Sequence, residues 1–133
     1  LANVFNKSQH GTTFGGNALS CAVGEVVLDE LKSGLMTQVS DKGDYFKSEL
    51  IKIKQEFPNL VIEVRGFGLM LGLVLKFEAK KLLDKLLEKR IIANATNTNV
   101  LRIVPPLIIS NEDIDEFIQG VRDSLNELKI EIN

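Results

Sequence analysis

The sequence predicts an α+β fold: a small, mostly antiparallel sheet with helices packed on it. Apolar residues recur at helical spacing over separate stretches near the start, the middle and the end. Between them lie short runs of β-type residues bounded by glycine, proline and asparagine. The resulting order is loop, helix, helix, strand, strand, helix, strand, strand, helix, which builds one sheet with a helical layer.

Each element has its own signal. His10 to Gly16 (HGTTFGG) is a glycine-rich loop. Asn17 is a good N-cap, and Leu19, Ala22, Val23, Val26, Val27 and Leu31 follow at helical spacing. Ser33-Gly34 stops that helix. Met36, Val39, Phe46, Leu50, Ile53 and Phe57 make the stripe of a second helix, which Pro58 ends. Val61 to Val64 and Leu69 to Phe77 read as strands joined by Gly66-Phe67-Gly68. The second is apolar at nearly every position, so both of its faces are expected to be covered. Ala79 to Lys89 is a short helix with Leu82, Leu83, Leu86 and Leu87 on its buried side. Ile91 to Ala93 and Val100 to Val104 read as strands around a polar turn, Asn94 to Asn99, and Pro105-Pro106 breaks the second. Ser110 caps the last helix with Asp113 three residues on, close to a capping box. Ile114, Phe117, Ile118, Val121, Leu125 and Leu128 carry its apolar stripe.

Composition narrows the function. The 133 residues fit one domain and suffice for a core without staples. The net charge of −2, from 16 basic and 18 acidic residues, gives no footprint for nucleic acid or an anionic membrane. The longest apolar run, Leu69 to Leu75, is too short to span a bilayer, and the start has no signal-peptide pattern. A single cysteine, Cys21, excludes an internal disulfide and suits a reducing cytosol. Set among apolar residues of a helix, it reads as a buried, inert thiol. One histidine and one cysteine cannot build a Cys/His metal cluster. The chain starts at Leu1 rather than Met, as a processed N-terminus or as a piece of something longer.

The HGTTFGG loop joins glycines, two hydroxyls and a following helix N-terminus. Glycines allow close backbone approach, and hydroxyls and free amides suit phosphate oxygens. The loop is neither a Walker loop nor GxGxxG. It reads either as a phosphate site or as a structural turn. Arg102, in Val100-Leu101-Arg102-Ile103-Val104, has apolar neighbours. It pairs with a carboxylate of the protein or faces a pocket, where it would be a bidentate ligand for a substrate carboxylate. Arg65, before the glycine turn, reads as structural, holding the turn or pairing with an acid. His10 reads as a local hydrogen-bonding or packing residue. Lys80-Lys81 and Lys89-Arg90 read as a solvated helix face.

Taken together these motifs resemble a known family. HGTTFGGNALSCAVGEVVLDEL is similar to a segment of the class III (subgroup II) aminotransferases, VRGFGLMLGLVL to their strand-turn-strand, and NVLRIVPPLIIS to their closing signature. The three stand in the family's order and cover nearly the whole chain. The wording leans toward the acetylornithine and ornithine aminotransferases. Ala18 departs from a common proline, at a first helical position where alanine is also acceptable.

The resemblance implies the C-terminal part of a fold type I enzyme that uses pyridoxal 5'-phosphate, normally a cytoplasmic homodimer. Residues 1–16 would be the end of the large domain with its interface loop, and 17–133 the linking helix and C-terminal small domain. The implied reaction moves an amino group from an amino-acid donor to a 2-oxo acid acceptor. N-acetylornithine and 2-oxoglutarate, in arginine biosynthesis, are the first reading; ornithine or 4-aminobutyrate aminotransferase is the second. By family position Thr13 would bind the cofactor phosphate, with the loop at 10–16 reaching the partner subunit's active site. Thr12 would sit near the substrate, and Arg102 would grip the substrate α-carboxylate. The family's Schiff-base lysine lies upstream of HGTTFGG, and no lysine here matches it, so the isolated chain is expected to be inactive. A reading of another class is a non-catalytic α+β binding or dimerisation module.

Overall fold

The computed structural model describes residues 4, 6 and 11–132. They fall into two compact units, 1–34 and 35–133. In the first, helix α1 spans Ala18–Glu30. Asn17 caps it as expected: its side-chain oxygen accepts the Ser20 amide N–H at 2.9 Å. The apolar stripe of α1 is not buried. Leu19, Val23 and Val26 are 75, 56 and 62% exposed, and Cys21 is exposed too, contrary to the expected buried thiol. Helical spacing specifies a face and not its cover. One helix and one loop, all that is described of this unit, are too little chain to bury a side of α1. A wide turn, Leu31–Leu35, follows and is broken at Gly34, whose φ of 123° no ordinary residue holds comfortably.

The second unit carries the core. Helix α2 is Met36–Glu56, strands β1 and β2 are Val61–Phe67 and Met70–Leu75, and helix α3 is Ala79–Glu88. Strands β3 (Asn94–Thr96) and β4 (Val100–Ile103) and helix α4 (Asn111–Ile132) complete it. The strands form one sheet in the order β1-β2-β4-β3, and all neighbouring pairs are antiparallel. Helices α2, α3 and α4 pack on one face. Phe46, Leu50 and Ile53 of α2 and Ile114, Ile118, Val121, Leu125 and Leu128 of α4 are buried there. They meet Leu71, Leu73, Leu75, Leu101 and Ile103 from the sheet. Each such side chain contributes about 1.5–3 kcal/mol by leaving water. Phe46 and Phe117 meet edge to face, ring centroids 5.4 Å apart.

Central β2 is buried from Leu71 to Leu75, but within this unit helices cover only the face of Leu71, Leu73 and Leu75, not both faces as expected. The tight Gly66–Gly68 segment has a direct cause. Gly66 and Gly68 have φ of 127° and 50°, and a Cβ on Gly43 of α2 would lie 2.6 Å from the Gly68 backbone. Helix and hairpin touch backbone to backbone. Lys47 donates to the Gly66 carbonyl at 3.2 Å and steadies the same end.

Two further expectations are corrected. The third strand lies at Asn94–Thr96 and not at Ile91 to Ala93. Its polar residues pair with β4 along a sheet edge, where burial is not required. The turn closes at Asn97 and Thr98, with φ of 48° and 61°. Asn99 then donates through its side-chain amide to the Leu75 carbonyl at 3.0 Å. Leu87 is 60% exposed, whereas Ala79, Leu82 and Leu86 are buried. At 100° per residue Leu87 turns off the face that those three define. The capping box at α4 is present, with the Asp113 amide donating to Ser110 Oγ at 3.0 Å and the Ser110 amide to Asp113 Oδ2 at 3.2 Å.

Candidate functional site

Residues 11–16 make an exposed loop that enters α1 through Asn17. The Thr12 hydroxyl accepts the Gly15 amide N–H at 3.1 Å, which closes the loop on itself. That hydroxyl keeps its own proton for a further acceptor. Gly15 is needed because a Cβ there would run into the Thr12 side chain. Thr13 is exposed, and its side chain has no hydrogen-bond partner among the described residues. A free hydroxyl, glycine backbone open to solvent and the first amides of a helix form a donor set that fits a phosphate. His10 lies outside the described residues.

Arg102 belongs to the second unit. It is the one exposed residue of β4, between buried Leu101 and Ile103. Leu101 and Ile103 point into the core, so alternation along the strand turns Arg102 to the face opposite helices α2, α3 and α4. Among the described residues it forms no ion pair or side-chain hydrogen bond. That removes the reading in which a carboxylate of the described residues holds it. Two hollows adjoin it. One, of about 600 Å³, lies toward Ile91, Pro105, Pro106 and Phe117. The other, of about 420 Å³, lies over the sheet between Arg65, Gly72 and Arg102. Thr12 and Thr13 thus share the loop of the first unit, and Arg102 stands in the second.

Arg65 also departs from expectation. It pairs with no acid among the described residues. Its side chain lies over Gly72 instead: a Cβ on Gly72 would be 3.6 Å from Arg65 Cγ and 3.9 Å from Nε. Sequence reasoning missed this placement, because the signal lies in the pairing of strands and not in the residues around Arg65. The lysines are exposed or half-buried, but Lys89 reaches Glu127 at 2.7 Å and Lys80 reaches Asp84 at 3.0 Å.

Shifted ionisations mark struts of the fold. The Arg122 guanidinium holds the Glu56 carboxyl below its usual range, and Lys89 does the same to Glu127. The Ser110 hydroxyl lowers Asp113. Asp115 accepts the Tyr45 hydroxyl and, by that hydrogen bond, pushes the phenol up to about 12. Among the described residues no group of His, Cys, Asp and Glu could hold a metal ion. No helix there is long and apolar enough to cross a membrane.

Comparison with known proteins gives a consistent answer. Residues 1–125 match the family model of the class-III aminotransferases. The chain is 43% identical over 95% of its length to acetylornithine aminotransferase of Caldanaerobacter subterraneus, covering 32% of that protein. It is 40% identical over 94% of its length to ornithine aminotransferase of Bacillus subtilis, covering 31% of that one. The crystal structure of acetylornithine aminotransferase from Elizabethkingia anophelis superposes with a TM-score of 0.80 at 30% identity, over 95% of this chain and 33% of that one. The chain spans about a third of the length of these relatives.

Proposed function

The chain belongs to the class-III aminotransferases, and from that premise we propose that the whole protein transfers the amino group of N-acetylornithine to 2-oxoglutarate in arginine biosynthesis. Relatives named acetylornithine aminotransferase, 43% identical to the chain, support that donor. The ornithine aminotransferases at 40 and 42% identity support ornithine as the second reading. We place this activity in a cytoplasmic homodimer, with residues 1–16 ending a large domain and 17–133 forming the linking helix and small domain. The exposed apolar residues of α1 support a further covering chain.

The observation that carries the proposal is the Arg102 guanidinium, exposed on the sheet face opposite α2, α3 and α4 with no carboxylate partner among the described residues. Its fork suits the α-carboxylate that every amino-acid donor and 2-oxo acid acceptor presents. Thr13 would donate its hydroxyl to the cofactor phosphate in the partner subunit's site, and Thr12 would stand by the substrate. Pyridoxal phosphate, when bound, supplies an aldehyde and an electron-withdrawing ring. This chain's share is to anchor and to orient.

Arg102→Lys in the full-length enzyme tests the role. Lysine keeps the charge and loses the fork, so kcat/KM for α-amino acid donors should fall about a hundredfold, some 3 kcal/mol. Amine donors without that carboxylate should lose much less. A lower melting temperature with an equal loss for every donor would make Arg102 a scaffold residue. Turnover of N-acetylornithine against ornithine by the wild type separates the two donors.

A further inference from the structure

The loop that follows Arg102 is held from outside at a single point. Strand β4 ends at Ile103, and Ser110 caps α4. Between them run Val104 to Ile109. Val104, Pro105, Pro106 and Ile109 line the hollow of about 600 Å³ that Arg102 also lines. The two prolines have no amide N–H to give. The Ile109 amide donates to the Pro106 carbonyl at 3.0 Å and closes a turn inside the loop. Leu107 and Ile108 stand at its tip, 44 and 79% exposed. Neither is a residue that favours a turn, so local chemistry alone does not set where this wall of the hollow lies.

Lys42 of α2 supplies the missing hold. Its Nζ donates to the Ile109 carbonyl at 2.6 Å, across 67 residues of chain. Among the described residues no other hydrogen bond reaches Val104 to Ile109 from outside the loop. Lys42 is half-buried, and its ammonium has no carboxylate partner among the described residues. An ammonium makes a short, charge-assisted bond to such a carbonyl. The fold has other means to keep α4 in place. The capping box of Ser110 and Asp113 starts the helix, and Tyr45 and Phe46 of α2 meet Asp115 and Phe117. What Lys42 adds is the place of the loop.

We propose that Lys42 is a positioning residue for the reaction: it fixes the wall formed by Val104 to Ile109 beside Arg102. The wall bounds the space in which a donor held by Arg102 lies. Lys42 acts through the loop and not by contact with the substrate. The inference rests on the reading of Arg102 given above. Without the bond the wall is free to shift, and a shift of about 1 Å beside a bound substrate is costly.

The test is steady-state kinetics of the full-length, cofactor-loaded protein with N-acetylornithine or ornithine, whichever the wild type turns over. Lys42→Met keeps the stem and loses the donor. It should raise the KM of the amino donor about tenfold, with kcat within about twofold and the melting temperature within a few degrees. Lys42→Arg keeps a charged donor and should bring KM back to within about threefold of the wild type. On an Arg102→Lys background, Lys42→Met should add less than about twofold, because two residues that act on one carboxylate are not additive. An unchanged KM in Lys42→Met, a loss that Lys42→Arg does not restore, or the full loss repeated on the Arg102→Lys background overturns the proposal. If Lys42→Met does not fold, Lys42→Gln, whose amide is too short to span the same gap, decides by the same readings. If neither folds, Lys42 is a scaffold residue and the proposal falls. Arg102→Lys as active as the wild type overturns the reading of Arg102, and this inference with it. Arg102→Lys with its expected loss, beside Lys42→Met with an unchanged KM, overturns this inference alone.

Discussion

Arg102 shows how far a single residue can be read from sequence. Its apolar neighbours placed it on a strand and left two roles open, partner of an acid or reader of a pocket. Alternation along β4 decides which way it points, and that follows from which neighbours are buried. Arg65 was less legible. Its placement across Gly72 from Arg102 is a relation set by strand order and register. Nothing in VRGFG carries it. Thr13 is the opposite case, because its reading came from the motif and its surroundings add only a hydroxyl without a partner among the described residues. A phosphate with close to two negative charges wants several donors. Losing one hydroxyl donor to a charged group costs roughly 1.5–3 kcal/mol. Thr13→Val keeps the shape, so cofactor affinity of the full-length enzyme should drop about ten- to a hundredfold. Titration of the cofactor-free protein with pyridoxal phosphate measures it, and an unchanged constant takes Thr13 off the phosphate.

Among the elements, the long helices and central β2 followed from period and punctuation. The edge strand β3 did not, because Asn94–Thr96 has the composition of a turn and is a strand only through its pairing with β4. Packing between elements also decides what a glycine does. Gly43 and Gly120 both lie inside helices, where alanine is favoured by about 1 kcal/mol. A Cβ at Gly43 meets the Gly68 backbone at 2.6 Å, and backbone cannot swing aside. At Gly120 it meets the terminal methyl of Ile91, which can. Overpacking against a fixed neighbour costs about 1–3 kcal/mol, more than the helical gain. Gly43→Ala should therefore lower the midpoint of thermal unfolding, and Gly120→Ala should leave it level or raise it. Circular dichroism melts of the two variants settle the order, and a Gly43→Ala chain as stable as wild type would mean that α2 does not rest on the hairpin.

At the scale of the whole molecule, the sequence was enough for an α+β fold and for the order of its parts, and the relatives in solved structures share that fold. What stayed hidden was the cover of α1 and the way α4 is clasped. The clasp is made of polar pairs between residues far apart in sequence. Arg122 donates to both Glu56 oxygens, at 2.8 and 3.1 Å, and ties α4 to the end of α2. Lys89 and Glu127 tie α4 to the end of α3, and Tyr45 donates to Asp115. These pairs set how stability depends on pH. Glu56 and Glu127 have folded pKa values below their ordinary 4.5. A lowered carboxyl contributes in full above its unfolded value and loses that contribution as the pH falls through the folded one. Tyr45 works in the other direction: raised to about 12 from 10.0, it contributes in full below 10 and loses the contribution as the pH climbs toward 12. The melting temperature should therefore stay flat from about pH 6 to 9 and decline below about 4.5. Glu56→Gln should remove part of the acid slope. The Glu56 side chain is 41% exposed, so solvent screening keeps its share to about 1 kcal/mol or less, a few degrees at neutral pH. As the pH falls through the lowered folded value of Glu56 and the wild-type carboxylate protonates, the gap between the variant and the wild type should close. A constant gap between them from pH 7 to 3 would show that Glu56 acts through packing, and the clasp would then owe nothing to its charge.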